Sequence, residues 1–527
     1  MYQPARRAAL LLSLALLTAA CAADSGDVSS EQADTIPSPA PAPAPASTLP
    51  AEPEVSVEES VPSATETATT VPATTVPATT TDLPGEPVES SQGLDDRLFP
   101  ELGAPGVDVL SYDVVLDVDV AAETFDATID ITTAVAPNLS QLSLDAIGFD
   151  VDIVLVDGAA AVFEQSFEEL VIDLPANRDD VVVATVSYSA SPDGGTSAVG
   201  LPVGWFPTEG GAYVLNEPDG ARTWLPSNDH PSDKALWRFD VTAPEADVVS
   251  ANGTLIQRGG ETEAWIWESE DPMSTYLVHL VIGNYELIED ASIALESGAD
   301  LPITHLVPSG TADVHRVFFE QIAPQMAFFE ERFGPYPLSE YGLAFIDSPS
   351  GLAMETQGRS LFAAADFRRG ELGFIQHLLL AHELAHQWFG NTVSPATWSD
   401  LWLNESFATY AQWLWLDEVD HAVLESQAEV ALQARQNGRQ STGEPSVSNL
   451  FGFETYDGGA VIVHALRLEL GDEAFYALLQ GWLAENAGSS QTTAAFIERA
   501  EQEAGRDLTG FFDAWLFAVD PPDEFPS

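Results

Sequence analysis

Apolar and polar positions alternate over several stretches in the first half of the chain. In Asp113–Val120 one face is Val114, Leu116, Val118 and Val120, and the other is mostly acidic. The same period of two recurs in Phe125–Ile131, Val181–Tyr188, Ala264–Trp267 and Tyr276–Ile282. Successive side chains of a strand point to opposite faces, so each run predicts a half-buried strand. Gly, Pro, Asp and Asn separate them, as turns require. An all-β domain is expected over residues 99–291.

Beyond it the period lengthens to that of a helix. Val314–Phe333, Leu372–Phe389, Asp400–Val419 and Ala460–Leu470 predict helices, with a strand over Tyr341–Ile346. Residues 292–527 therefore read as an α/β, mainly helical domain. No later apolar run reaches the roughly 18–20 residues that a membrane-crossing helix needs.

Two further segments precede the β domain. Arg6 and Arg7 lead an apolar run, Ala8–Ala20, that ends at Cys21. A basic start followed by a short apolar stretch marks an export signal. The residues up to Cys21 resemble a bacterial lipoprotein processing site. That resemblance implies a signal over residues 1–21, lipid attachment at Cys21, and a place on the outer face of the cytoplasmic membrane. Residues 22–98 are rich in Pro, Ala, Thr, Ser and Glu, with a repeat in Thr69–Ala78. Such a segment cannot bury a core and is expected to be a solvated linker.

Charge narrows the partners. The chain carries 83 acidic residues against 18 basic ones, a formal net charge of -65, and Lys234 is its only lysine. A surface of that sign repels phosphate backbones, which excludes nucleic acid, and suits salty water. Contact with a membrane is expected only through the lipid anchor. The single cysteine, Cys21, leaves the body no internal disulfide and no thiolate metal site. Any metal must be held by His, Asp or Glu.

Such a set is present. His382-Glu383-Leu384-Ala385-His386 lies within a predicted helix, and positions four apart share one helix face. Both imidazoles can then reach one cation, with Glu383 close enough to act as a base toward water. Gly390-Asn391 ends that helix, and a second one carries Asn404-Glu405-Ser406. A helix–turn–helix can bring Glu405 beside the histidines as a third ligand. Three protein ligands with an open fourth position are the mark of a catalytic zinc. The remaining histidines, His230, His279, His305, His315, His377, His421 and His464, are expected in structural or surface roles.

These residues sit in a longer match. His382–Asn391 and Trp398–Tyr410 resemble the zinc signature of the gluzincin aminopeptidases, typified by membrane alanine aminopeptidase and leukotriene hydrolase. Ser406 stands where that family usually has glycine. Gly351–Gly358 is similar to the family's exopeptidase motif, Gly-Ala-Met-Glu-Asn, with Thr356 in place of the asparagine. The resemblance implies that Ala353, Met354 and Glu355 bind substrate, Glu355 taking the free α-amine. Tyr456-Asp457-Gly458-Gly459 resembles the family's Tyr-Glu-Lys-Gly, which implies that Tyr456 steadies an oxyanion. Asn216–Ala235 is similar to the stretch leading from the β domain toward the active site. Some members place an amine-binding glutamine where this chain has Leu215, which leaves the role of Glu217 open. The likeness covers roughly residues 103–525, so no counterpart of the family's long C-terminal helical domain is expected.

Together these features imply a saddle-like β domain followed by a thermolysin-like peptidase domain. The implied activity is that of a zinc aminopeptidase acting on peptides with a free N-terminal amine. His382, His386 and Glu405 would hold one zinc ion, with Glu383 and Tyr456 catalytic. Two other readings stay open at this point. One is a thermolysin-like endopeptidase, which shares the metal motif but needs no amine anchor. The other is a surface-anchored binding protein on an inactive peptidase fold.

Overall fold

The computed structural model describes residues 93–527 apart from 167, 245, 259–263, 421–423 and 439. The signal expected over 1–21 with its Cys21, most of the linker expected over 22–98, and His421 lie outside the described residues. The end of that linker belongs to the fold instead. Asp96 is fully buried and accepts from the backbone N–H groups of Leu98 and Trp398, each at 2.7 Å. Leu98 and Phe99 join the core. An aspartate reads as solvated until a distant amide claims it.

The alternating runs build an eight-stranded sheet. Its order is Thr254–Arg258, Trp265–Glu268, Leu236–Thr242, Val107–Asp119, Thr124–Val135, Val181–Ala190, Phe149–Val156 and Ala159–Ala160. Val107–Asp119 pairs antiparallel with Thr124–Val135 but parallel with Leu236–Thr242. Tyr112, Val114, Leu116, Ile129, Ile131 and Val186 face the core. Their acidic neighbours are left on the other face, as a period of two requires. A five-stranded sheet containing Gly211–Leu215 and Leu280–Gly283 packs within the same core.

Tyr276–Ile282 departs from the expected strand. Thr275–Leu277 is a short 3-10 turn, and only Leu280–Gly283 is extended. Side chains hold the turn: Ser274 Oγ donates to Pro231 O at 2.7 Å and the Tyr276 hydroxyl donates to Gly390 O at 3.0 Å. Tertiary contacts overrode a local alternation.

The second half lays helices against another five-stranded sheet. Its order is Tyr285–Ala294, Asp300–Pro308, Leu343–Ile346, Ser360–Ala363 and Ala353–Met354. The division expected between 291 and 292 falls inside the first of these strands, so the β domain gives way before Tyr285. The helix expected over 314–333 is two, Ala312–Phe319 and Ile322–Phe333. Pro324 sits in the first turn of the second, where a missing N–H is harmless. Helices run over Phe374–Ala385, Trp402–Asp420 and Asp457–Leu470. Ala353–Met354 is the edge strand, antiparallel to Ser360–Ala363. No helix among the described residues is long and apolar enough to cross a membrane.

Candidate active site

The helix Phe374–Ala385 carries His382 and ends at His386, and Gly390 then turns the chain back with φ at 114°. A β-carbon on Gly390 would stand 3.0 Å from Asn404 Nδ2, so the sharp turn and the close neighbour both call for glycine. The turn brings Trp402–Asp420 alongside. His382 Nε2 lies 3.0 Å from His386 Nε2 and 3.2 Å from Glu405 Oε2, and His386 Nε2 lies 3.4 Å from that same oxygen. All three side chains are buried. The second nitrogen of His386 is 3.0 Å from Phe389 O, a contact that holds a proton on Nδ1 and leaves the Nε2 lone pair facing the cluster.

Two imidazole lone pairs and a carboxylate converging at these distances repel unless something positive lies among them. Burial opposes charge on His386, yet the carboxylates of Glu355 and Glu405 hold its pKa up at about 10. Burial likewise opposes ionised Glu405, and His386 and His382 more than offset this, keeping it well below the usual carboxylate range. Two histidines and one carboxylate form the donor set of a catalytic zinc site, and these residues fit that ion.

Three more carboxylates face this cluster. Glu383 Oε2 is buried with no hydrogen-bond partner among the described residues. Burial pushes the Glu383 pKa well above its ordinary value, His386 draws it down, and Glu355 and Glu405 push it further up. Glu355, just beyond the edge strand Ala353–Met354, also has an unpartnered buried oxygen, Oε1, which is 3.9 Å from His386 Nδ1. Its backbone is tied down: Asn391 Nδ2 donates to Glu355 O at 2.7 Å, and Gln387 Nε2 donates to it at 3.3 Å.

Tyr456 opens the helix Asp457–Leu470, and its hydroxyl donates to Glu405 Oε1 at 2.9 Å. Its ring lies 6.1 Å from that of His382, nearly parallel to it. The two departures in this region have local reasons. Ser406 Oγ donates to Thr455 O at 2.7 Å, and a β-carbon on Gly459 would stand 1.8 Å from that hydroxyl oxygen, so the serine is housed by a glycine. A β-carbon on Gly458 would come within 3.0 Å of Phe453 O, which leaves little room for a lysine there.

Glu217 is the site residue that the sequence left undecided. Leu215 is buried in the strand Gly211–Leu215 and packs in the core. Two residues on, a Glu217 oxygen lies within 4.8 Å of oxygens of both Glu355 and Glu405. Its Oε1 is buried without a partner among the described residues. Burial raises its pKa well above the ordinary value, and Glu355, Glu405 and Glu383 add to the effect. The available signal was an acidic residue just past a strand end, inside the matched stretch.

The other histidines among the described residues pack or cap. Ser250 Oγ is 2.9 Å from His279 Nε2, His305 stacks on Phe319 at 3.9 Å, and Trp415 Nε1 donates to His377 Nδ1 at 3.3 Å.

Two family models cover this architecture. The Peptidase M1 N-terminal domain matches residues 109–277 and the Peptidase family M1 domain matches residues 318–515. The chain belongs to the peptidase M1 family. Among M1 relatives, aminopeptidase N of Streptomyces lividans is 26% identical over 436 residues, covering 77% of this chain and 50% of that protein. Probable aminopeptidase 1 of Sulfurisphaera tokodaii is 26% identical over 399 residues, covering 71% of this chain and 49% of that protein. The chain thus spans about half the length of these relatives. The crystal structure of an M1 zinc metallopeptidase from Deinococcus radiodurans matches with a TM-score of 0.74 at 27% identity, covering 83% of this chain and 100% of that one. Leukotriene A4 hydrolase from Saccharomyces cerevisiae shares the fold, with a TM-score of 0.66 at 18% identity over 80% of this chain and 69% of that one.

Proposed function

We propose that this M1 protein is a zinc aminopeptidase that releases the N-terminal residue of peptides. One observation carries the reading. Beside the three converging ligand atoms of His382, His386 and Glu405, two further carboxylates, Glu355 and Glu217, face the same space, each with a buried oxygen that no hydrogen-bond donor answers among the described residues. Buried unpaired carboxylates are costly, so the site is built to receive positive charge twice, as a metal ion and as a substrate ammonium group. An endopeptidase needs only the first. The Deinococcus radiodurans relative was crystallised with a Tyr-Ser-Ala substrate, which agrees with a short free-amine peptide here.

Zinc held by His382, His386 and Glu405 would supply Lewis acidity, polarising the scissile carbonyl and making water a nucleophile near neutral pH. Glu355 and Glu217 hold the ammonium group and set the cleavage register at the first peptide bond. Glu383 takes the proton of the attacking water and passes it to the leaving amine. The Tyr456 hydroxyl turns from Glu405 to donate to the carbonyl oxygen as negative charge develops there.

The test compares a leucyl chromogenic amide with its N-acetylated twin, before and after chelation and with zinc restored. Cleavage of the free amine alone, lost on chelation and recovered with zinc, is expected. Equal cleavage of both would make the protein an endopeptidase, and a purified protein without metal or turnover would make it a binding protein. We also propose export by residues 1–21 with lipid attachment at Cys21. Release of Cys21→Ala from the membrane fraction tests it, and an unchanged distribution would refute the anchor.

A further inference from the structure

Glu355 lies just past the edge strand Ala353–Met354, where the strand pairing has already ended. Side chains and turns must therefore fix the segment that carries it. Asn391 Nδ2 and Gln387 Nε2 donate to Glu355 O at 2.7 and 3.3 Å. Gly358 N donates to Gln387 Oε1 at 3.0 Å, and Gln357 N donates to Leu277 O at 3.1 Å. The shortest of these grips belongs to Asn391. Its Nδ2 also donates to Gln387 Oε1 at 3.1 Å, and since both partners only accept there, the orientation of the amide is settled.

Asn391 is itself placed by the turn that follows the metal helix. Its N–H donates to His386 O at 3.0 Å, and its carbonyl faces the β domain. There Lys234 Nζ donates to Asn391 O at 2.7 Å and to Thr392 O at 3.1 Å. The neighbouring carbonyls have other donors. Gly390 O accepts from the Tyr276 hydroxyl at 3.0 Å and from Ser394 Oγ at 2.5 Å, and Thr392 O accepts from Gly488 N at 2.8 Å. Asn391 O has no donor besides Lys234 among the described residues.

The lysine reaches out from a fixed frame. Next to it, Ala235 N donates to Met273 O at 3.1 Å and Met273 N donates to Ala235 O at 2.9 Å. Before it, the Asp233 carboxylate accepts from Val109 N at 3.1 Å. A bond from an ammonium group to a carbonyl is stronger than one between neutral groups, and no other side chain of this chain offers that group. A rigid part of the β domain thus ends in a charged donor that presses on the residue gripping Glu355.

We propose that Lys234 is a positioning residue for the amine anchor: by fixing the Asn391 carbonyl it holds the Asn391 amide against Glu355 O, and so sets where the substrate N-terminus is received. The inference rests on the aminopeptidase reading. Its test measures, by calorimetry on the zinc-loaded protein, the binding of leucine hydroxamate and of isocaproyl hydroxamate, the same molecule without its amine. The wild type is expected to bind the amine compound at least about tenfold more tightly, the worth of a charge-assisted contact. K234M, which keeps the length of the side chain but cannot donate, should shrink that ratio about fivefold, because Gln387 still holds Glu355 O. Zinc content and the affinity for isocaproyl hydroxamate should stay as in the wild type, and K234R should keep most of the ratio.

An unchanged ratio in K234M would overturn the inference. So would a K234M protein that weakens both compounds alike, loses zinc or loses its folding transition, since Lys234 would then be a general strut. A wild type that binds the two compounds equally would sink the aminopeptidase reading and this inference with it.

Discussion

Two groups of buried carboxylates lie in this molecule, and their surroundings differ in kind. In the β domain Asp145 accepts from the backbone of Asp229 at 2.7 Å and of Gly103 at 3.1 Å. Asp229 accepts from Arg222 N at 3.0 Å and from Thr275 Oγ1 at 2.5 Å. Asp233 accepts from Val109 N at 3.1 Å and from Asn228 Nδ2, and Glu169 accepts from Ser143 Oγ at 2.5 Å. At the active site Glu217, Glu355 and Glu383 each keep a buried oxygen with no partner among the described residues. The first group uses its acids as internal fasteners between loops and strands. The second holds its acids unsatisfied, which stabilises nothing until cations arrive. Among these acids the two roles part on whether the oxygens are answered.

The sharpest way to break that contrast is Glu383→Gln. Losing the base should lower turnover by about 10²–10⁴-fold while zinc content, read by metal analysis, stays the same. Equal turnover would mean that an unsatisfied acid here carries no chemistry. Glu217→Gln should raise KM for a leucyl amide about tenfold with a smaller change in kcat, since a charge-assisted contact to the ammonium group is weakened. Unchanged kinetics would move Glu217 into the structural group.

Asp145→Asn probes the other side. The amide turns a donor toward Gly103 N or Asp229 N, costing about 1–3 kcal/mol and lowering Tm by a few degrees, with kcat unaltered. A fall in kcat at constant Tm would erase the distinction. The last probe is pH. Burial raises Asp145, Asp229 and Asp233 from 3.8 to about 7 in the folded protein. Between those values the native state holds more protons than the unfolded chain, so stability falls as pH rises through that window. Tm should be higher at pH 5 than at pH 8, and the opposite order would show that the hydrogen bonds outweigh burial at these sites.

Much of the site was legible before any folding was considered. Two histidines four apart, a glutamate between them and a third ligand on the next helix are local facts, because helix geometry turns spacing into direction. The alternating runs likewise announced the large sheet. The unreadable parts share a cause. Thr275–Leu277 became a turn because Tyr276 and Ser274 found distant carbonyl groups, and Asp96 entered the core because Trp398 N needed an acceptor.

By itself, then, the sequence determined the metal-binding face of one helix, the period of each element, and the absence of cysteine from the folded body. The tertiary structure alone decided that Glu217, carried in from the β domain, meets Glu355 and Glu405 within 4.8 Å. It also decided that Lys234, the single lysine, is half-buried with its Nζ donating to Asn391 O at 2.7 Å, on the loop behind the metal helix. Spacing along a chain encodes contacts one turn or one strand away. Meetings between residues more than a hundred positions apart follow from which faces pack together, and no local period carries that information.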